Sequence, residues 1–193
     1  MVERIRKTME EMALNTIEIS KNLSDKDTKI MEDLLLKAGK IYTIGVGHSG
    51  LIGKVFAMKL MQLDFASYVV GDVTTPGLKE GDVVVAISQS GETTSVVALS
   101  KKAKKLGGKV VAITAYPQST LGRIAHRTVK IEAKASRKKF PALSVLGDEE
   151  HANLSGALFG INTFLFFYGL ICDLALRTKQ TPGQIDSRHA NIE

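Results

Sequence analysis

One short polar stretch has the composition of an anion-binding loop. Ser88-Gln89-Ser90-Gly91-Glu92-Thr93 follows the apolar run 83–87 and precedes a helical pattern at 94–106. Backbone N–H groups at the start of a helix lack intrahelical partners, and the helix dipole favours an anion there. Glycine lets the backbone approach a ligand, and hydroxyls add donors. The stretch predicts a phosphate-binding loop; the simpler interpretation is that Ser90 caps the helix and Thr93 completes its first turn.

A second loop, upstream, has a similar composition. Gly45-Val46-Gly47-His48-Ser49-Gly50 follows a predicted strand at 40–44 and precedes a helical pattern at 51–63. Its glycines match the G-x-G-x-x-G fingerprint of dinucleotide sites, and Asp72 lies about 20 residues further on, where a ribose-binding acid is expected. A nucleotide site built on these glycines and Asp72 is therefore an alternative. A dinucleotide fold, however, has no need of the second hydroxyl-rich loop at 88–93.

The elements around these loops alternate between apolar strands and helices. Further strands are predicted at 66–70, 83–87, 109–114 and 128–131, with helical patterns at 2–23, 24–39, 117–125 and 154–178. Such alternation predicts a parallel sheet covered by helices on both faces. Ligands bind such sheets beyond the carboxyl ends of the strands, at the switch point. In the flavodoxin-like three-layer order 2-1-3-4-5 the first and third strands are neighbours, so the two loops converge on one site.

Length and composition predict one soluble globular domain. The chain has 193 residues, of which 44% are hydrophobic and 24% charged, as in ordinary globular proteins. We expect a helical arm at 1–39, a core at 40–178 and a tail at 179–193. The two helices of the arm cover their own sheet or pack on a neighbouring subunit.

The net charge of +6 comes from basic residues spread along the whole chain, with few aromatic residues. This distribution argues against a nucleic-acid partner and suits an anionic small molecule. We expect no membrane partner and a cytoplasmic location, because the N-terminus lacks the apolar segment of a signal peptide and the apolar run 157–172 is too short to span a bilayer. The single cysteine, Cys172, lies in that run and is predicted to be in the core.

These motifs resemble the SIS (sugar isomerase) domain superfamily. Gly45-Val46-Gly47-His48-Ser49 is similar to its first glycine–serine loop, and residues 88–93 are similar to its phosphate loop. Within the superfamily the chain is most similar to 6-phospho-3-hexuloisomerases. That likeness rests on residues 56–63, residues 69–76 and the C-terminal Arg188-His189-Ala190-Asn191-Ile192-Glu193.

The resemblance implies an isomerase that needs no metal and no cofactor. In that family the reaction converts 3-hexulose 6-phosphate to fructose 6-phosphate through an enediol, and the enzyme is a homotetramer. The residues that would hold the substrate phosphate are Ser49, Ser88, Gln89, Ser90 and Thr93. The residues that would line the site beside them are Gly47, His48, Gly91 and Asp72.

Two positions depart from the family pattern. His48 stands where the family usually has arginine or lysine, and Gly160 stands where it has the glutamate expected to act as the base. The remaining candidates for proton transfer lie before the last long helix and in the tail: Glu149, Glu150, His151, His189 and Glu193. We predict Glu150 as the base, because a partly buried carboxylate near the start of that helix would have a raised pKa. The acidic run 148–150 would otherwise be a helix start.

Two other functions remain open from the sequence. Gly160, in place of the acid, is compatible with a protein that binds a sugar phosphate without converting it. Isomerisation of the arabinose 5-phosphate type is a near alternative in the same superfamily. His126 is interpreted as a surface or loop histidine with no role in the site.

Overall fold

A parallel sheet lies at the centre of the fold. The computed structural model describes residues 2–132, 140–143 and 152–192. Within these residues the strands are β1 (Ile41–Ile44), β2 (Ser67–Val69), β3 (Val83–Ile87), β4 (Lys109–Thr114) and β5 (Arg127–Lys130). They lie in the order β2-β1-β3-β4-β5, and every pairing is parallel. The predicted flavodoxin-like order is therefore confirmed.

Helices cover both faces of the sheet. In chain order they are α1 (Val2–Ser20), α2 (Asp25–Lys37), α3 (His48–Gln62), α4 (Thr94–Lys105), α5 (Thr120–Ile124), α6 (Ala152–Arg177) and α7 (Pro182–Asp186). The Ser24 hydroxyl accepts a hydrogen bond from the Asp27 N–H and caps α2, as predicted. Helix α3 begins at His48, inside the first glycine loop. Helix α7 was not predicted; it begins with a capping box formed by Thr181 and Gln184.

The core has one layer on each side of the sheet. Strand β3 is buried along its whole length, because a central parallel strand is covered on both faces. On one face α2, α3 and α6 pack on the sheet, and the Phe56 and Phe167 rings stack with centroids 4.0 Å apart. On the other face α4 and α5 contribute Val96 and Leu121. Helix α3 is thus held between the sheet and α6, and its first turn lies at the carboxyl end of β1.

The two-helix arm covers its own domain. Helix α2 contacts β5 and α6, and α1 contacts α6. The face of α1 that packs inward includes Glu11 and Asn15, whereas Ile5 and Met9 are exposed. The Glu11 carboxylate is satisfied there, since it accepts hydrogen bonds from the N–H groups of residues 142 and 143. Helix α2 thus covers the sheet of its own domain, whereas α1 packs on α6 and keeps apolar side chains exposed. Packing of α1 on a neighbouring subunit stays a prediction.

Helix α6 is half buried. Its segment Gly156–Arg177 is long and apolar enough, by length and composition, to cross a membrane, so the prediction that this apolar run is too short to do so was wrong. Within the most apolar part of this segment 50% is buried inside the fold, as in the core helix of a globular domain. Leu170 and Leu174 belong to the core, while Leu165 and Cys172 are exposed. The prediction of a buried Cys172 was wrong, because the outer face of this apolar helix also carries apolar residues.

Candidate functional site

The loops after β1 and β3 enclose a cavity at the carboxyl edge of the sheet. The cavity has a volume of about 360 Å³. It is lined by Val46, Ser49, Ile87, Ser88, Gln89, Ser90, Thr93 and Tyr116. The structure thus brings the predicted phosphate-binding side chains together around one space, although they come from two loops about 40 residues apart. Their proximity follows from the pairing of β1 with β3.

The loop 88–93 is held by its own side chains. The buried Ser88 hydroxyl lies 2.9 Å from the Thr93 hydroxyl and accepts a hydrogen bond of 3.1 Å from the Gly91 N–H. The Ser90 hydroxyl accepts from the Glu92 N–H at 3.2 Å. The residue that precedes α4 is Thr93, not Ser90. The interpretation of Ser90 as a simple helix cap was therefore wrong, and its hydroxyl orders the loop instead.

Gly91 cannot be replaced without disturbing this loop. Its φ is +66°, in the left-handed region, and a Cβ at this position would lie 1.9 Å from the Ser119 Oγ. The Gly91 carbonyl accepts a hydrogen bond from the Leu121 N–H at 2.9 Å. The backbone of the loop is thus packed directly against the start of α5, and only glycine fits.

Glu92 points away from the cavity. Its carboxylate accepts a hydrogen bond of 2.7 Å from the Thr120 N–H at the start of α5. This bond lowers the pKa of Glu92, because it favours the ionised form of the carboxyl group. The one acidic residue in the loop is therefore held outside the cavity, which leaves hydroxyls and an amide to face an anion.

The strand after β3 contributes a third loop to the site. The Gln89 carbonyl accepts hydrogen bonds from the Ala115 N–H at 3.0 Å and the Thr114 hydroxyl at 2.9 Å. Tyr116, two residues beyond β4, lines the cavity. Tyr116 was not among the predicted site residues. The predicted strand order could have indicated it, since β4 is the neighbour of β3 and its carboxyl end must lie at the same edge.

The loop after β1 is built on glycines. Gly47, with φ +56°, precedes α3, so no side chain at this position caps the helix. A Cβ on Gly45 would lie 2.7 Å from the Ser49 carbonyl group, so the loop and the first turn of α3 are in close contact. Among the described residues, the Ser49 hydroxyl has no hydrogen-bond partner. It faces the cavity with both its donor and its lone pairs available.

Helix α6 passes beside both loops. A Cβ on Gly156 would lie 3.5 Å from the Gln89 side-chain oxygen, and a Cβ on Gly160 would lie 2.2 Å from the His48 Cε1. The two positions that depart from the family pattern, His48 and Gly160, are therefore in contact. The space that a side chain at position 160 would occupy is filled by the imidazole ring of His48.

The other predicted site residues lie elsewhere. Asp72 follows β2 and forms an ion pair of 3.5 Å with Lys54, and it is not among the residues that line the cavity. The Nδ1 atom of His126 accepts a hydrogen bond of 2.9 Å from the Val110 N–H, which is the structural role expected of it. Glu149, Glu150, His151 and Glu193 lie outside the described residues.

The tail packs at the opposite end of α3 from the cavity. Arg188 donates a hydrogen bond to the Gln62 carbonyl at 3.2 Å and pairs with Asp64 at 3.1 Å. Helix α3 has 15 residues, so its two ends are about 22 Å apart. His189 is next to Arg188 and near the Asp186 carbonyl, at 3.3 Å. The structure therefore does not bring His189 to the cavity of its own chain.

The cavity can hold an anion with neutral donors. Hydroxyls, a carboxamide and the N–H groups before α4 converge on it, and Tyr116 closes one side. Among the described residues, no group of three or more His, Cys, Asp or Glu side chains is placed to hold a metal ion. The arrangement suits a phosphate ester whose organic part extends toward α6.

The family follows from the sequence match. The family model of the SIS domain matches residues 34–148, which is more than half of the chain. This chain belongs to the SIS domain family. The match includes both loops that enclose the cavity, and it leaves out α7 and the tail.

Similar proteins extend the SIS domain match to nearly the whole chain. An uncharacterized protein of Aeropyrum pernix is 39% identical, with 97% of this chain and 92% of that protein covered. The 3-hexulose-6-phosphate isomerase of Bacillus subtilis is 34% identical, with 89% of each chain covered. A crystal structure from Methanococcus jannaschii, from which a function of 3-hexulose-6-phosphate isomerase has been inferred, is 30% identical, with a TM-score of 0.79 and 99% of each chain covered.

Proposed function

We propose that this SIS domain protein interconverts 3-hexulose 6-phosphate and fructose 6-phosphate. The observation that carries the proposal is the cavity between the two serine-containing loops, which offers neutral hydrogen-bond donors to a phosphate at the switch point of the sheet. The similarity to isomerases of this substrate, over most of the chain, supports the choice of sugar.

The reaction moves a carbonyl group by one carbon. A base removes the proton from C2, the electrons form the C2–C3 double bond of an enediol, and the proton is returned to C3 as the carbonyl forms at C2. We assign phosphate binding to Ser49, Ser88, Gln89, Ser90 and Thr93. Gly47, His48 and Gly91 belong to the two loops that carry these residues, whereas Asp72, paired with Lys54, is left out of the assignment. A phosphate fixed in the cavity holds the reacting carbons at a constant position, which lowers the entropic part of the barrier.

We assign the base to Glu150, with His151 and His189 as acid or orienting partners and Glu193 as the other carboxylate candidate. Replacing Glu150 with glutamine keeps its size and removes its basicity. Turnover should then fall at least about a hundredfold while the affinity for fructose 6-phosphate stays within a few-fold, since general base catalysis is worth about 10² to 10⁴. Unchanged turnover would move the assignment to His189 or Glu193.

We propose a cytoplasmic homotetramer. Because His189 lies at the far end of α3 in its own chain, a role for it requires the cavity of a neighbouring copy. Exposed apolar side chains on the surface, such as Met9 on α1, Met58 on α3 and Leu165 on α6, support subunit contacts. Sedimentation at micromolar concentration should give a tetramer, and a monomer would contradict this assignment.

A coupled assay tests the proposed reaction. The protein is supplied with 3-hexulose 6-phosphate, and fructose 6-phosphate is detected; pentose and hexose phosphates, including arabinose 5-phosphate, are tested in parallel. Turnover should be highest with 3-hexulose 6-phosphate. If turnover were highest with arabinose 5-phosphate, the proposed substrate would be wrong, while the proposed reaction type would stand.

The second candidate function is binding of a sugar phosphate without conversion. Gly160, in place of the expected acid, is the observation that favours it. It would be supported by micromolar binding of fructose 6-phosphate together with no exchange of its carbon-bound protons with solvent. Exchange of the carbon-bound protons with solvent would favour the isomerase, even if the coupled assay detected no product.

A further inference from the structure

A glycine on α6 gives His48 a fixed place beside the cavity. A Cβ on Gly160 would lie 2.2 Å from Cε1, 2.4 Å from Nδ1 and 3.1 Å from Nε2 of the His48 ring. Real Cβ atoms do not come within 3.0 Å of another heavy atom, as this one would at Cε1 and Nδ1. The ring therefore rests directly on the helix backbone. Gly160 itself is buried. Any larger residue at position 160 would displace the imidazole.

The same helix connects His48 to the cavity. Gly156 is one turn before Gly160, and a Cβ on it would lie 3.5 Å from the Gln89 side-chain oxygen. Residues four apart lie on one face of a helix, about 5–6 Å from each other. The His48 ring is therefore about one helical turn from the Gln89 carboxamide, which lines the cavity. Ser49, the next residue in the chain, lines it as well.

The His48 ring is available for a ligand. In residues 2–132, 140–143 and 152–192, neither of its ring nitrogens has a hydrogen-bond or ion-pair partner, and the residue is exposed. The other described histidines are engaged elsewhere: His126 accepts from a backbone N–H, and His189 lies at the far end of α3. An imidazole both donates and accepts protons near neutral pH.

We propose that His48 contacts the sugar of the bound substrate and carries a proton between its two reacting oxygen atoms. The proposal rests on the isomerase function proposed above. With the phosphate in the cavity, the sugar carbons extend along α6 toward the ring. The base of the reaction removes and returns the proton on carbon. His48 would instead move a proton between the two oxygen atoms, so the two roles do not compete.

In the proposed transfer His48 acts first as an acid and then as a base. Protonated His48 gives a proton to the O3 oxygen of the enediolate, which leaves a neutral ring and a neutral enediol. The neutral ring then takes the proton of the O2 hydroxyl, which restores protonated His48 and moves the negative charge to O2. Collapse of O2 to the carbonyl at C2, with return of the carbon-bound proton to C3, completes the conversion. No other reactant is consumed.

Replacement of His48 with alanine gives the first test. We expect kcat for 3-hexulose 6-phosphate to fall about a hundredfold, within the range of general acid–base catalysis, while the affinity for fructose 6-phosphate stays within a few-fold. Because the ring is exposed, added imidazole should restore part of the lost kcat. If His48 only shaped the loop, the kcat of His48→Ala would not rise on addition of imidazole.

Replacement of Gly160 with alanine gives the second test. The added methyl group takes the place of the ring, so Gly160→Ala should reduce kcat to about the level of His48→Ala, and the double variant should be no slower than either single variant. Alanine stabilises a helix more than glycine does, so Gly160→Ala should raise the melting temperature when His48 is already alanine. With His48 present, the added methyl group clashes with the ring, and the melting temperature should not rise. Gly169→Ala, on the same helix with nothing near its Cβ, is the matched control and should keep full kcat.

The outcomes separate the two proposals. If the wild-type protein converts no sugar phosphate, the isomerase function fails and the role of His48 with it. If the wild type is active and His48→Ala keeps its kcat, only the role of His48 fails. That role also fails if the lost kcat does not respond to imidazole, or if the effects of His48→Ala and Gly160→Ala multiply in the double variant.

Discussion

The two loops that enclose the cavity are held in place by different contacts. Residues 88–93 are fixed by their own hydroxyls and by the start of α5, through the bonds of Ser88, Gly91 and Glu92. Residues 45–50 have no side-chain cap, and their glycines pack on the first turn of α3. Their one large polar side chain, His48, rests on α6, more than 100 residues further along the chain.

This difference separates two tasks. A loop that is ordered by internal hydrogen bonds presents the same donors whether or not a ligand is present, which suits an anchor for a phosphate. The His48 ring is placed by a distant helix, and its nitrogens have no partner in the part of the chain that the structure describes. Such a loop suits contact with the part of a substrate that changes during a reaction. Matched changes in the two loops should therefore have different effects.

Glycine substitutions should give the largest contrast. Gly91→Ala places a methyl group 1.9 Å from the Ser119 Oγ at a positive φ, so we expect a loss of about 2–4 kcal/mol in the free energy of unfolding from strain and overpacking together. Gly47→Ala also has a positive φ, but its Cβ meets nothing within 4 Å, and strain alone should cost about 1–2 kcal/mol. Urea unfolding measures both. Equal losses would show that the contact with Ser119 has no energetic effect.

Serine substitutions should separate stability from affinity. Ser88→Ala removes the acceptor of the buried Gly91 N–H and the partner of Thr93, and we expect it to cost about 1–3 kcal/mol of unfolding free energy. Ser49→Ala removes only a hydroxyl that faces the cavity and should change stability by less than about 0.5 kcal/mol. Both should weaken the binding of fructose 6-phosphate in calorimetry. Full affinity in Ser49→Ala would remove the first loop from the phosphate site.

The bond of Glu92 predicts a dependence of stability on pH. The Thr120 N–H lowers the pKa of Glu92 in the folded protein. A carboxyl group with a lowered pKa contributes stability above its unfolded pKa, and this contribution is lost as the pH falls through the folded pKa. Wild type should therefore melt above Glu92→Gln at pH 7, and the difference should shrink below about pH 4. A difference between the two proteins that does not change with pH would contradict this assignment.

Replacement of Glu32, which lies outside both loops, should give the smallest effect on stability. It is buried on α2, and burial together with nearby Asp173 raises its pKa. Protonation is then favoured by folding, so the stability from this group is present at low pH and is lost as the pH rises through the folded pKa. Glu32→Gln resembles the protonated form. Its melting temperature relative to wild type should rise between pH 4 and pH 7, with unchanged affinity for fructose 6-phosphate; a fall over that interval would contradict the sign.

The sheet could be predicted because its strands are buried on both faces. Val83–Ile87 reads as an unbroken apolar run, and the hydroxyl-rich residues after it mark its carboxyl end. Strand order then followed from analogy with parallel folds, and it placed Ser49 and Ser88 at one edge. Local patterns were sufficient for the strands and their ends, because burial on both faces gives a continuous apolar run; the strand order needed the analogy.

The features that were missed depend on distant contacts. Nothing local indicates that Glu11 of α1 is buried, since its donors are the N–H groups of residues 142 and 143. Gly160 was read as a lost acid, whereas the structure shows that its missing side chain makes room for the His48 ring. Such pairings join residues more than 100 positions apart, and a single sequence gives no signal for them.

The position of α6 also has a consequence for how the chain is made. The Phe56 ring on α3 stacks on Phe167, and Leu60 belongs to the same cluster. During synthesis, the sheet and α3 leave the ribosome before residue 167 does, so this apolar surface stays uncovered until the last fifth of the chain has emerged. At about 5–20 residues per second the interval between α3 and α6 lasts on the order of ten seconds. We expect nascent chains stalled before α6 to bind chaperones and completed chains to be released from them.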